Sequence, residues 1–448
     1  MDTTLNESLI HICQIYIKNF FITVFCFFVL THSAIAGEKR FTIDECVSLG
    51  LKNNNDLKLQ HNKVEEVRYK YYQMIASYLP QIDASLVYKK YDQLPLTQKE
   101  IAGVQKIGER PGFEDYFAGV MLSQVIFSGQ KYYQIKALKT AYEYEITKYD
   151  VMLLNTKLTI AKAFYEQLRS NYAVTIQKEL TDKLQNQKVI TDLLYRGGKL
   201  TNIDLLKVQT QLAISIDALE NLKNLAYSKA LMLGQVLGTD EPVYAQHELI
   251  PPPDNYFDVS QCYSLPKNHP ELKIAQLLKE KSDFEKEQAY STLMPTVYFN
   301  ANYYREESKF FPGYPNWYVG FIATMPLFHG GSIYTEIKQA HARYDQVTES
   351  LRKTEIELGV RYQAALAMLK DRKNRILTTQ KALDLASESL IASELKYQIG
   401  KLTTIELLDA HIIWNNAYLS FINGLIDYYI ACEEMKYLCT ETIKDKEK

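Results

Sequence analysis

Just past Pro80 the chain takes up a two-residue period, with Ile82, Ala84, Leu86 and Tyr88 alternating with Asp83, Ser85, Val87 and Lys89. Successive strand side chains point to opposite sides of a sheet, so this alternation predicts a strand with one apolar face. The pattern returns past Pro295, where Val297, Phe299, Ala301 and Tyr303 alternate with Tyr298, Asn300, Asn302 and Tyr304. Turn residues follow each run, Pro111-Gly112 and Pro312-Gly313, and a second strand is predicted over residues 116–127 and again over 317–328. Ala118, Val120 and Leu122 align with Val319, Phe321 and Ala323 as the apolar face. Each hairpin gathers aromatic residues toward its ends, at Tyr88, Tyr91, Tyr116, Phe117, Phe127, Tyr303, Tyr304, Trp317, Tyr318 and Phe328. Girdles of this kind mark the interfaces of membrane barrels.

Around the hairpins the period is helical. A helix is predicted ahead of each, entered at the capping-box-like Thr42-Ile-Asp-Glu45 in one case and near Ser260 in the other, and both stop at a proline, Pro80 or Pro295. Behind each hairpin lies a much longer one, over 131–194 and 333–396. Ile135, Leu138, Tyr142, Ile146, Tyr149 and Leu153 hold a three-four spacing, as do Ile333, Ile337, Ala340, Tyr344, Val347 and Leu351. At 1.5 Å per residue such helices run on the order of 100 Å, and their spacing is a coiled-coil seam that needs long partners. Partners are available in the same chain, because tight turns at Gly197-Gly198 and at Gly400 reverse each long helix into a closing one, about 201–237 and 403–439.

The two halves are copies. Cys46-Val-Ser-Leu49 answers Cys262-Tyr-Ser-Leu265, Phe127-Ser-Gly129-Gln130 answers Phe328-His-Gly330-Gly331, and Tyr195-Arg-Gly-Gly-Lys199-Leu-Thr201 answers Tyr397-Gln-Ile-Gly-Lys401-Leu-Thr403. Pseudo-symmetry of one architecture follows. The chain divides into a signal peptide (1–36), a first repeat (37–240), a linker (241–258), a second repeat (259–440) and a polar tail (441–448). Pro80, Gly129, Pro295, Gly330 and Gly331 mark the strand–helix junctions.

Composition narrows the class. Lys18, the apolar run 20–30 and Ser33-Ala-Ile-Ala36 read as a secretory signal, the run being too short to span about 30 Å of hydrocarbon. No later window is apolar enough for a transmembrane helix, so membrane contact falls to strands. A formal net charge of −2 with both signs interspersed offers no basic patch, and nucleic acid is not expected as a partner. Neither are a cofactor, a metal or an enzymatic activity: the histidines are scattered, and no H-E-x-x-H, G-x-S-x-G, paired C-x-x-C or nucleotide loop is present. Cys46 and Cys262 can be a disulfide or two small buried residues, while Cys432 and Cys439 lie too far apart on one helix to bridge.

Strands of about ten residues with one apolar face and aromatic ends fit an outer-membrane barrel wall. One chain supplies four, closed barrels begin at about eight, and an open edge does not survive in lipid. Further copies of the chain must complete the barrel. A small water-soluble sheet capping a helical bundle is the competing arrangement, with a non-conducting periplasmic coiled-coil scaffold as its function.

On Met325-Pro-Leu-Phe-His-Gly-Gly331, on Tyr397-Gln-Ile-Gly-Lys-Leu-Thr-Thr-Ile-Glu406-Leu-Leu-Asp409-Ala and on the duplication, the chain resembles the TolC-like outer-membrane efflux and secretion channels over nearly its whole mature length. The resemblance implies a mainly α fold with a small β part: long antiparallel helices forming a periplasmic α-barrel, and four strands per chain in a barrel shared by a homotrimer in outer-membrane lipid. It implies an exit duct for efflux of small molecules or for type I protein secretion, working with a periplasmic adaptor (membrane fusion protein) and an inner-membrane RND or ABC-type pump. Gly197, Gly198, Lys199, Gly400 and Lys401 would form the periplasmic tip. Glu406 and Asp409 match carboxylates that ring a closed aperture, and Asp204 and Tyr397 match an acceptor and a donor that tie neighbouring helices shut. Leu402 stands where an arginine completes that tie, with Lys401 just before it.

Overall fold

A computed structural model describes residues 40–92, 112–249, 267–307 and 315–440. The predicted signal peptide, Pro111, Pro312-Gly313, Cys262, the second half of the 241–258 linker, the helix start near Ser260 and the tail 441–448 lie outside those residues.

In chain order the elements are β1 (Arg40–Phe41), α1 (Ile43–Asn53), α2 (Asn55–Ala76), β2 (Gln81–Tyr91), β3 (Phe113–Phe127), α3 (Gly129–Arg196), α4 (Asn202–Val236), β4 (Tyr244–Ala245), α5 (Pro270–Ser291), β5 (Thr296–Glu307), β6 (Asn316–Thr324), α6 (Ser332–Gln398) and α7 (Thr404–Leu438). The first expected helix is two. Thr42 opens α1 with a full capping box to Glu45, and Asn54, with extended dihedrals, separates it from α2. Asn53-Asn54-Asn55 supplies the signal, because asparagine side chains compete for backbone hydrogen bonds and favour turns over helix interiors. Strand β6 ends at Thr324 rather than reaching Phe328, since Pro326 has no N–H to give the ladder.

The long helices match their predicted extents to within about two residues at each end, which is the ordinary scatter of helix boundaries. Along α6 the predicted seam positions Ile333, Ile337, Ala340, Tyr344, Val347 and Leu351 are all half-buried, while most residues between them are exposed.

The chain packs as two compact units. Among the described residues one is drawn from 40–54, 156–249 and 369–433, the other from 55–92, 112–155, 267–307, 315–368 and 434–440. Each therefore takes segments from both sequence repeats. In the first unit the core follows a stripe on α3, with Ile160, Phe164, Leu168, Ile176, Leu180 and Leu184 all at most 5% exposed, and is completed by Leu425 and Ile426 of α7. The second unit holds the sheet. Its helices and strands meet where Tyr78 Oη donates to the Ser128 carbonyl (2.9 Å) and where a Cβ at Gly129 would stand 2.9 Å from Met294 Sδ.

The aligned junctions differ in detail. Ser128 starts α3 directly, its hydroxyl accepting from Lys131 N–H at 3.3 Å. The second copy instead turns through Gly330 (φ 57°) and Gly331 (φ 86°) before α6 begins. Cys46 is a buried thiol outside any disulfide, which answers the Cys46–Cys262 question in the negative; among the described cysteines Cys439 is disulfide-bonded.

Candidate functional site: a two-faced sheet and two helical turns

The sheet is four-stranded and antiparallel throughout, in the order β2-β3-β5-β6. Its register sorts the side chains. Ile82, Ala84, Leu86 and Tyr88 pair with Leu122, Val120, Ala118 and Tyr116; Leu122 and Val120 continue to Ala301 and Tyr303, and these to Val319 and Trp317. An apolar face results over these rows, bounded by Arg305 opposite Ala118 at one end and Gln124 opposite Phe299 at the other. Opposite it lie Gln81, Asp83, Ser85, Ser123, Asn300 and Asn302, joined by Gly119 and Gly320. A bulge at Ile126, between the Val125 and Phe127 pairings, returns Phe127 to the apolar side opposite Val297.

The aromatic residues do not all belong to one girdle. Tyr88, Tyr116, Tyr303 and Trp317 stand toward one end of the apolar face, and Phe127, Phe299 and Phe321 toward the other. Tyr91, Phe117, Tyr304 and Tyr318 point to the polar side, because their positions have the opposite parity. Both outer strands lie open. β2 is exposed at every residue, β6 at all but one, and among the described residues each has a single ladder partner.

At the C-terminal ends of α3 and α6 the two predicted turns have the same bonding. Gly198 (φ 70°) donates to the Tyr195 carbonyl and Lys199 N–H to the Leu194 carbonyl, both at 2.9 Å. Gly400 (φ 72°) donates to Tyr397 at 3.0 Å and Lys401 N–H to Lys396 at 2.9 Å. These are paired Schellman closures, which require a left-handed residue just past the helix. A Cβ at either glycine would meet nothing within 4 Å, so the demand for glycine is conformational.

The closing helices are then capped alike. The Asp204 carboxylate accepts from Thr201 N–H (3.1 Å) and Oγ1 (2.7 Å), and Glu406 from Thr403 N–H (2.8 Å) and Oγ1 (2.7 Å). Thr201 Oγ1 and Thr403 Oγ1 accept in return from Asp204 and Glu406 N–H, at 3.3 Å each. Both are capping boxes. The Thr201 hydroxyl is the leading cause that lowers the Asp204 pKa, and the Thr403 N–H the leading cause for Glu406. Asp409 is exposed one helical turn beyond Glu406, on the same face.

Tyr397 does not bond Asp204 directly. Its hydroxyl, 2% exposed, shares hydrogen bonds with Thr191 Oγ1 at 2.8 Å and Thr404 Oγ1 at 3.4 Å, and Thr404 in turn is among the groups that hold the Asp204 pKa down. Donor and acceptor are thus linked through a threonine. Nothing in the sequence sets Thr191 or Thr404 apart from the other polar residues of these helices; the packing of the helices does. Leu402 packs on the cluster of Leu184, Leu390, Leu407 and Trp414. Farther along this seam His411 is buried, its pKa pushed down to about 4 by burial and then by the Lys183 charge; Lys183 lies 5.3 Å from the Trp414 ring centroid.

No helix among the described residues is long and apolar enough to cross a membrane, and none of their His, Cys, Asp and Glu residues group in threes as a metal site. A sheet with one apolar and one polar face, attached to helices of 68 and 67 residues, defines a mainly helical protein with a small β part. The chain belongs to the outer membrane efflux protein family, whose sequence pattern it matches over residues 46–239 and 262–437, and it is accordingly an outer-membrane transport protein. No curated protein matches it. Among solved structures it is similar to the CmeC outer membrane channel of Campylobacter jejuni (TM-score 0.78, 18% identity, 90% of this chain and 87% of that one). VceC of Vibrio cholerae is similar too (0.77, 14%, 90% and 97%), as is the open state of the MtrE channel of Neisseria gonorrhoeae (0.74, 15%, 89% and 88%). At these identities the likeness establishes the fold: a mainly helical tunnel with a small β part.

Proposed function

We propose that three copies of this chain, exported by the N-terminal signal, close a twelve-stranded barrel in the outer membrane and a helical tunnel beneath it. Together they serve as the exit duct for substrates delivered by an inner-membrane RND or ABC-type pump through a periplasmic adaptor. The open edges of a two-faced sheet carry this reading. An unpaired edge is not tolerated in lipid, and with four antiparallel strands per chain the β6 edge of one copy meets the β2 edge of the next antiparallel, so the ladder closes without a parallel join. A coiled-coil scaffold gives no reason for the apolar face.

The turns at Gly198 and Gly400 form the periplasmic tip and gate. Capping supports this role for Glu406: Thr403 holds its carboxylate in the charged form, against the repulsion that a ring of like charges brings. The Thr191–Tyr397–Thr404 link, leading on to Asp204, closes the seam behind it. Small-molecule efflux and type I secretion use the same duct. Fractionation with native electrophoresis tests the proposal: a trimer in the outer membrane that conducts in planar bilayers is expected, and a monomer in the soluble periplasm would overturn it.

A further inference from the structure

On the polar face of the sheet the rings of Phe117 and Tyr304 stack, 5.6 Å between centroids and 25° between planes. They meet over Gly119, where a Cβ would stand 2.9 Å from Phe117 Cζ and 2.9 Å from Tyr304 Cβ, so glycine is what lets the phenyl ring lie along its own strand. In the ladder Gly119 pairs with Tyr304, and Glu306 stands opposite Phe117. Tyr304 and Glu306, two apart, share a face. One strand away on the same face is Asp83, paired with Met121, and Lys89, the cation this face carries on β2, is opposite Asp115. Asp83 and Glu306 enter no ion pair among the described residues. Covering a strand glycine with a ring accounts for Phe117; it leaves the second ring and the uncompensated carboxylates unexplained.

Resting on the reading that the polar face lines the bore, we propose that Phe117, Tyr304 and Glu306 form a shelf that binds planar aromatic cations during passage. The stacked rings offer a flat apolar surface and the negative face of their π systems, and Glu306 and Asp83 supply the opposite charge. Neither an aromatic anion nor a non-aromatic cation satisfies both requirements.

The test uses the purified full-length chain in planar bilayers, with ethidium added to the side facing the barrel. Ethidium is expected to block the current, and Phe117→Ala and Glu306→Gln each to raise its half-blocking concentration roughly three- to tenfold. Pyrenesulfonate and tetraethylammonium should block at least about tenfold more weakly than ethidium. Glu306→Gln keeps shape and hydrogen bonding, so it reports on charge even where Phe117→Ala disturbs the strand. Conducting channels with equal ethidium block in wild type and variants overturn the shelf and leave the channel standing. Absence of any conduction overturns the channel, and the shelf with it.

Discussion

The hydroxyls of Tyr397 and Thr191, 2.8 Å apart and fully enclosed, join the end of one long helix to the end of the other beside the turn that reverses the second. A buried hydrogen bond contributes about 1 kcal/mol net, and stranding its partner costs about 1–3 kcal/mol. Tyr397→Phe strands Thr191, so it should lower the unfolding free energy by about 2 kcal/mol and raise the resting conductance. With Thr191→Val the two losses should be non-additive. Wild-type conductance in Tyr397→Phe would remove the link from the gate.

Replacing Gly400 or Gly198 by Ala forces a side chain into the left-handed region at a cost of about 1–2 kcal/mol each. Since the space around both is open, Asn should be milder than Ala. Thermal unfolding checks this, and a cost for Ala no greater than for Asn would show that the turns relax to another shape.

Glu406→Gln together with Asp409→Asn should relieve block of single-channel current by divalent cations, since a ring of carboxylates is what would hold them. Gln preserves the capping acceptor of Glu406, which Ala would not, so the pair isolates charge from helix capping. Undiminished divalent block would show that the block arises elsewhere.

His411 titrates near pH 4 in the fold and near 6.5 unfolded. The unfolded chain therefore takes up the proton first on acidification, and stability rises with pH between these values and is undiminished above 6.5. Between pH 7 and pH 5 this amounts to about 2 kcal/mol of destabilisation. His411→Gln should flatten the dependence of the unfolding midpoint over that window; an unchanged slope would assign the pH response to other groups.

The period-two runs and the duplication made the strands, their apolar face and both glycine turns legible before any coordinates. Parity was legible too, but at strand ends neighbouring aromatics such as Tyr303 and Tyr304 satisfy a girdle equally well, and only the register and the bulge at Ile126 assign them to opposite faces. The capping boxes at Thr201 and Thr403 stand in the sequence as T-x-x-D and T-x-x-E, but spacing alone does not say which groups a carboxylate accepts from, so their bonding is a finding of the structure. Thr191 is one of many polar residues in a helix of 68. Its role depends on which helix lies opposite, and that is a tertiary fact.

Closure of the sheet between copies is the central claim, and disulfide trapping across the open edges tests it most directly. Ser85 on β2 and Tyr318 or Gly320 on β6 share the polar face; among the described cysteines Cys46 and Cys432 are buried thiols and Cys439 is already bonded, and the chain without added cysteines serves as the control. Oxidation of Ser85→Cys combined with Tyr318→Cys or Gly320→Cys is expected to give covalent dimers and trimers in outer membranes for at least one pair. Pairs of opposite parity, such as Ser85→Cys with Val319→Cys, should give none. Monomers alone from every pair, in protein that is folded and membrane-bound, would contradict the shared barrel.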